Sequence, residues 1–232
     1  FSKAPTYYLY DLVGHEKMYI FLFFAILGIA LSLSLVYLLC EKADSHQDRY
    51  SLAHVKEVIV DKGFWCIAFY GALMYTPFLV LEMAWLHDFL SLLMQKVSHE
   101  VVNQVESAPF LGVICGSIFF GYISDRAKDR KFGLLICAIL SAMTLELFFL
   151  GICQAVYYNF FMLFLFGCFT GGFMPSFAYL AQRYDVEVAG CAMGLMNFIN
   201  MLGGSFIMPI LGRKIDYLSS HSSMSDFDIY QM

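Results

Sequence analysis

Few side chains in this 232-residue chain are equipped for chemistry, and most of those stand alone in apolar surroundings. Glu82 lies within the run Phe78-Leu-Val-Leu-Glu-Met-Ala-Trp85. An acid among such neighbours is costly unless it faces a cavity or a partner, and a carboxyl in that setting suits proton carrying. The plainer alternative is a hydrated acid at a membrane rim, with Trp85 in the aromatic belt. Both readings stay open. Tyr70 and Tyr75 precede Glu82 in the same run and do not share a helical face, so core packing competes with solute contact for each. Asn197 and Asn200 are three residues apart and share a face if helical. They suit either a polar solute or hydrogen bonding to a neighbouring helix.

The densest charge lies in Gly121-Tyr-Ile-Ser-Asp125-Arg126-Ala-Lys-Asp-Arg130-Lys131. Uncharged runs flank it, from Ala108 to Ile123 and from Phe132 to Leu145. A short basic turn between two such runs reads as a cytoplasmic joint between membrane helices. Gly121 would let two helices approach closely. Asp125 would accept hydrogen bonds at a helix N-terminus, and Arg126 and Arg130 would pair with acids on adjacent helices. The alternative is that these charges only orient the chain.

These residues need helices long enough to hold them in a bilayer. Hydrophobic residues make up 60% of the chain and charged ones 14%, too apolar a mixture to cover a water-soluble domain of this length. Six runs reach the roughly 20 residues that cross a hydrocarbon core as a helix: 18–40, 64–86, 101–123, 132–153, 157–181 and 188–211. They are continuous rather than alternating, which excludes a strand barrel. Gly171-Gly172 with Pro175 marks a kink or gate, and Gly203-Gly204 marks tight packing. The longest polar joint is Glu41–Lys62, whose 51–59 portion is either a surface helix or a plain linker. A second polar joint covers His87–Glu106. Nine Lys and Arg fall in joints 41–62, 124–131 and 182–187, against five on the other side. The first set is therefore expected in the cytoplasm and the tail from Arg213 onward outside.

Other classes find little support. The seven cysteines form no C-x-x-C pair, so neither a metal nor a disulfide framework is expected. There is no nucleotide-binding glycine loop, no H-E-x-x-H and no G-x-S-x-G, so no cofactor or catalytic centre is expected. No basic face extends beyond the turn, which argues against nucleic acid as a partner. The chain opens on Phe1 with no visible secretory signal, as expected of a fragment or a processed piece.

Gly121-x-x-x-Asp125-Arg126 followed by Arg130-Lys131 resembles the loop motif G-x-x-x-D-R-x-G-R-R/K of the major facilitator superfamily. Lys128 stands where that motif has glycine, and the basic pair comes one residue late, as in the degraded second copy between helices eight and nine. The stretch from Ala189 through Asn197, Asn200 and Gly203-Gly204 to Pro209 and Gly212 looks like helix eleven of bacterial members. The resemblance implies an all-helical protein in a bacterial inner membrane, part of a twelve-helix fold. Residues 1–40 would end the N-terminal half and 41–62 would form the central cytoplasmic loop. Residues 63–212 would hold five helices of the C-terminal half, with 213–232 an outer tail.

The implied activity is secondary transport of a small solute by alternating access, driven by a proton or ion gradient, with the N-terminal half as missing partner. Gly121, Asp125, Arg126, Arg130 and Lys131 would latch one conformation. Glu82, Tyr70, Tyr75, Asn197 and Asn200 would be the contacts for solute or protons. Tyr70, Tyr75 and Pro77 would lie on the cavity-lining helix seven, which often breaks near its outer end, and Gly71 and Pro77 would permit that break. Glu146 would fall on a supporting helix. The alternatives are a truncated, transport-inactive scaffold and, with thinner support, an intramembrane enzyme built on Glu82 and Glu146.

Overall fold

The structure is a computed structural model that describes residues 17–38, 52–126, 130–150 and 155–221. Lys42, Arg49, Lys128 and Gly151 lie outside the described residues, as do the chain start and most of the polar tail. The described residues form helices and turns only, so the chain is an all-α membrane protein.

Two compact units divide the chain, Phe1–Arg49 and Tyr50–Met232. The first contains helix α1 (Lys17–Leu38), uncharged after its first residue. Its side chains from 21 to 38 are exposed, as suits a helix sheathed in hydrocarbon rather than water.

The second unit begins with α2 (Leu52–Val60), a short helix on the stretch where a surface helix or a linker was expected. Next come α3 (Lys62–Val80) and a widened π turn (Leu81–Trp85). A hairpin follows, made of α4 (Leu86–Leu93) and α5 (His99–Glu106). The bundle is completed by α6 (Ala108–Arg126), α7 (Arg130–Leu150), α8 (Val156–Thr170), a 3-10 turn (Gly171–Phe173), α9 (Met174–Arg183) and α10 (Val186–His221). Among the described residues, six helical stretches are long and apolar enough to cross a membrane: 21–38, 62–83, 99–126, 130–150, 156–183 and 186–214. The last helix runs past the expected end at Leu211 and stays helical through Pro209.

The His87–Glu106 segment is not a solvated joint. The period of its apolar residues folds it into the hairpin, which buries Leu86, Phe89, Leu90, Met94, Val102 and Val105 against Phe148, Leu163 and Phe166. A second core lies around Phe64, Ala68, Leu180, Ala192 and Met196, joining α3, α9 and α10. Some polar side chains buried among the helices bond across them: the Ser141 hydroxyl of α7 meets that of Thr170 of α8 at 3.1 Å.

Close packing is set by glycine along α6 and α8. A Cβ at Gly112 would stand 2.8 Å from the Cys168 nitrogen and 2.9 Å from the Gly167 Cα. At Gly171 it would stand 2.8 Å from both the Ser117 nitrogen and the Val113 oxygen. Only hydrogen fits there, and backbone meets backbone. Gly121 does not share this role, because a Cβ there would meet nothing within 4 Å. The close approach lies one to three turns further from the charged end of α6, where the two helices cross. The Gly203-Gly204 pair does pack tightly, against Thr76 and Leu79 of α3.

Candidate functional site

The charged turn closes on itself. Arg130 begins α7 and its Nη2 donates to Asp125 Oδ1 at 2.9 Å, spanning the gap between α6 and α7. Asp125 is thus paired at the start of a helix, with the Arg130 side chain as donor. The Arg126 guanidinium lies 3.6 Å from the ring centroid of Tyr122, one helical turn back, instead of reaching another helix. Asp125 and Lys131 are exposed. The Arg130 side chain is only 14% exposed, so the turn presents an acid outward and holds an arginine inward.

A second charged knot was not anticipated. Asp61 caps α3 by accepting from the Gly63 backbone N–H at 2.8 Å. The same carboxylate accepts from Arg183 Nε at 2.7 Å, from Arg183 Nη2 at 2.9 Å and from the Tyr184 hydroxyl at 2.6 Å. It therefore ties the start of α3 to the end of α9. The Arg183 guanidinium, then the Tyr184 hydroxyl, hold the Asp61 carboxyl well below the usual carboxylate range. Burial first, and then the Asp61 charge, push the Tyr184 phenol up to about 12. The sequence signal was faint: a helix-capping aspartate before Lys62-Gly63, and a lone arginine in a short polar joint.

At mid-span, the predicted residues fare differently. The Tyr70 hydroxyl donates to the Leu134 carbonyl at 3.1 Å and lies 3.4 Å from the Gly172 carbonyl, joining α3 to α7 and the 3-10 turn. Its neighbours Ile67, Lys131, Leu134, Tyr179 and Arg183 line a cleft of about 450 Å3 with it. Tyr75 is packed among rings, with centroids 5.3 Å from Phe173 and 6.1 Å from Phe78.

Asn200 is 1% exposed, and neither of its amide atoms has a hydrogen-bond partner among the described residues. Gly71 makes room for it: a Cβ there would lie 2.9 Å from Oδ1. Thr76 Oγ1, on the same helix as Gly71, is likewise buried without a partner among the described residues. Asn197 is exposed, so the two asparagines do not converge.

Helix α3 does not break at Gly71 or Pro77. Gly71 is buried in a helix–helix contact, and Pro77 is carried within the helix. The irregularity falls after the proline, as the π turn that contains Glu82. Glu82 is 6% exposed, buried in that turn rather than hydrated at a rim. Glu146 is exposed on α7, away from Glu82's buried environment.

Comparison with known proteins adds the following. The family model described as Major Facilitator Superfamily matches residues 6–208. An uncharacterised MFS-type transporter of Bacillus subtilis (strain 168), YuxJ, is 28% identical over 139 residues, covering 60% of this chain. The matched region spans 33% of that relative's length. No solved structure matches the chain.

Proposed function

This chain belongs to the major facilitator superfamily, and on that premise we propose that it forms part of a secondary transporter moving a small solute by alternating access. The family match across residues 6–208 carries the reading, since it takes in every span but the end of the last. The order of spans and the position of the charged turn favour the C-terminal half of such a transporter, with an N-terminal half as partner. The excess of Lys and Arg in the joints holding Arg126, Arg130, Lys131 and Arg183 favours a cytoplasmic face there and a bacterial inner membrane as the setting.

In this reading the second unit rocks as one body. The Asp61–Arg183–Tyr184 knot and the glycine-packed pair α6–α8 keep it rigid, while the turn from Gly121 to Lys131 fastens one of its two positions. Asn200 and Thr76 supply buried polar groups for solute near mid-membrane. Glu82, buried in a distorted helical turn, is the candidate proton carrier.

The test uses vesicles holding the complete protein and a trapped pH dye, with a panel of candidate cargoes. Cargo-dependent proton movement is expected, with Glu82→Gln moving cargo without protons. A flat dye trace across the panel would overturn proton coupling, and cargo accumulation no greater than in empty vesicles would overturn the transport reading in favour of a scaffold. An unchanged trace for Glu82→Gln would remove Glu82 from the coupling path.

A further inference from the structure

A small cavity of about 30 Å3 lies next to the charged turn, lined by Ser124 of α6, by Arg130, Gly133 and Cys137 of α7, and by Gly172 of the 3-10 turn. Two polar atoms of its lining residues, Ser124 Oγ and Arg130 Nη1, are buried without a hydrogen-bond partner among the described residues. They come from the helices on either side of the turn, and one belongs to a cation. Arg130 gives Nη2 to the exposed Asp125, so its guanidinium has one hand at the surface and the other inside.

We infer that this cavity binds one ordered water molecule, which bridges Arg130 Nη1 to Ser124 Oγ and so joins α7 to α6 behind the turn. A buried donor left unpaired costs the desolvation of that group, and more when the group is charged. The rest of the lining offers little relief. Phe120, Ile123, Leu134 and Pro175 have apolar side chains, and the Cys137 thiol is only a weak acceptor.

Size and charge both select water. The volume matches the share of one molecule in the liquid. The Asp125 carboxylate already offsets the charge of Arg130, which leaves little field to hold an anion in its place. Ser124 can give or take a hydrogen bond, so one molecule can accept from Nη1 and donate to Oγ. Two such partners suffice to hold a buried water.

The bridge gives Arg130 a task that a charge serving only to orient the chain would lack. A topological marker could be lysine as readily as arginine. The planar guanidinium holds Asp125 with one nitrogen and the water with another in a fixed geometry, which an ammonium on a flexible stem does not reproduce. The site belongs to the packing of α6 against α7 and stands whether or not the chain moves a solute.

The experiment is radiolytic hydroxyl-radical labelling read by mass spectrometry, on the full chain in lipid nanodiscs, with Ser124→Ala alongside. Radicals formed from a bound water oxidise the side chains it touches. Cys137 lines the cavity yet is 2% exposed, so bulk water does not reach it. Its oxidation is expected in the wild type and should fall severalfold in Ser124→Ala, while the exposed Tyr157, at the other end of α8, labels equally in both. Thermal unfolding in detergent gives the second readout. With the bridge, Ser124→Ala leaves Arg130 Nη1 short of its support and the midpoint should fall by roughly 2–4 °C. In a dry cavity the same change removes a buried hydroxyl that lacks a partner, and the midpoint holds or rises. Cys137 oxidation at background level in the wild type, equal oxidation in both chains, or a midpoint that holds or rises in Ser124→Ala would each overturn the bridge.

Discussion

Adding one methyl group at Gly112 should loosen the bundle, while the same methyl at Gly121 should not. At Gly112 the new carbon would stand 2.8 Å from the Cys168 nitrogen and 2.9 Å from the Gly167 Cα, with the Phe164 carbonyl closer still. Ordinary contact begins at 3.4 Å, so α6 and α8 must part by at least 0.5–0.6 Å. The obstacles are backbone atoms, which cannot swing aside. A gap of that size forfeits about a quarter of each contact's roughly 0.1–0.2 kcal/mol, and strain in the displaced helices adds to it. Overpacking of this kind costs about 1–3 kcal/mol.

Alanine also favours a helix over glycine by about 1 kcal/mol, which opposes the loss. That gain applies equally at Gly121, where the added carbon meets nothing within 4 Å. The difference between Gly112→Ala and Gly121→Ala therefore isolates the contact, at about 1–3 kcal/mol. For a unit of this size that corresponds to roughly 2–12 °C in Tm. Thermal unfolding of both variants in the same detergent measures it. Midpoints within about 1 °C of each other would refute the glycine-packed crossing of α6 and α8.

Three further outcomes are expected. Asp61→Asn should cost about 1 kcal/mol, since the Arg183 side chain is 38% exposed and water screens the pair. Because the Asp61 carboxyl is held low in the folded chain, its contribution is present above the ordinary carboxylate range near pH 4 and is lost as pH falls below it. Unfolding midpoints of wild type and variant should thus converge only in strong acid. Tyr70→Phe should lower stability by about 1 kcal/mol through loss of its bonds to the Leu134 and Gly172 carbonyls, as read by detergent unfolding. Asn200→Leu should leave unfolding unchanged or raise its midpoint, because it removes a buried amide lacking partners among the described residues, while solute uptake falls. A clear drop in its midpoint would make Asn200 structural glue instead.

The membrane class and the number of spans were legible because continuous apolar length is a property of local sequence, and so was the charged turn between α6 and α7. The hairpin was missed because polarity was averaged over His87–Glu106. The buried residues there recur with a helical period that an average conceals. Gly121 and Gly112 look alike in sequence, and only the crossing point of two helices tells which glycine meets backbone. Asn197 and Asn200 are separated by about 60° on a helical wheel, enough to put one amide against Gly71 and the other at the surface. The Asp61–Arg183 pairing joins residues 122 apart, too far for the faint local signals at its two ends to bring them together.

That separation has a consequence for biogenesis. At roughly 5–20 residues per second, the ribosome adds Arg183 some 6–24 s after Asp61. Throughout that interval the capping carboxylate has only its own helix for company, and α3 has no anchor at its charged end. The knot can be tied only after the segments from 108 to 183 have been threaded and folded back. It therefore records that the intervening segments have been inserted, and it can form before α10 has been added. A chain stalled before that point would carry α3 untethered and exposed to membrane quality control.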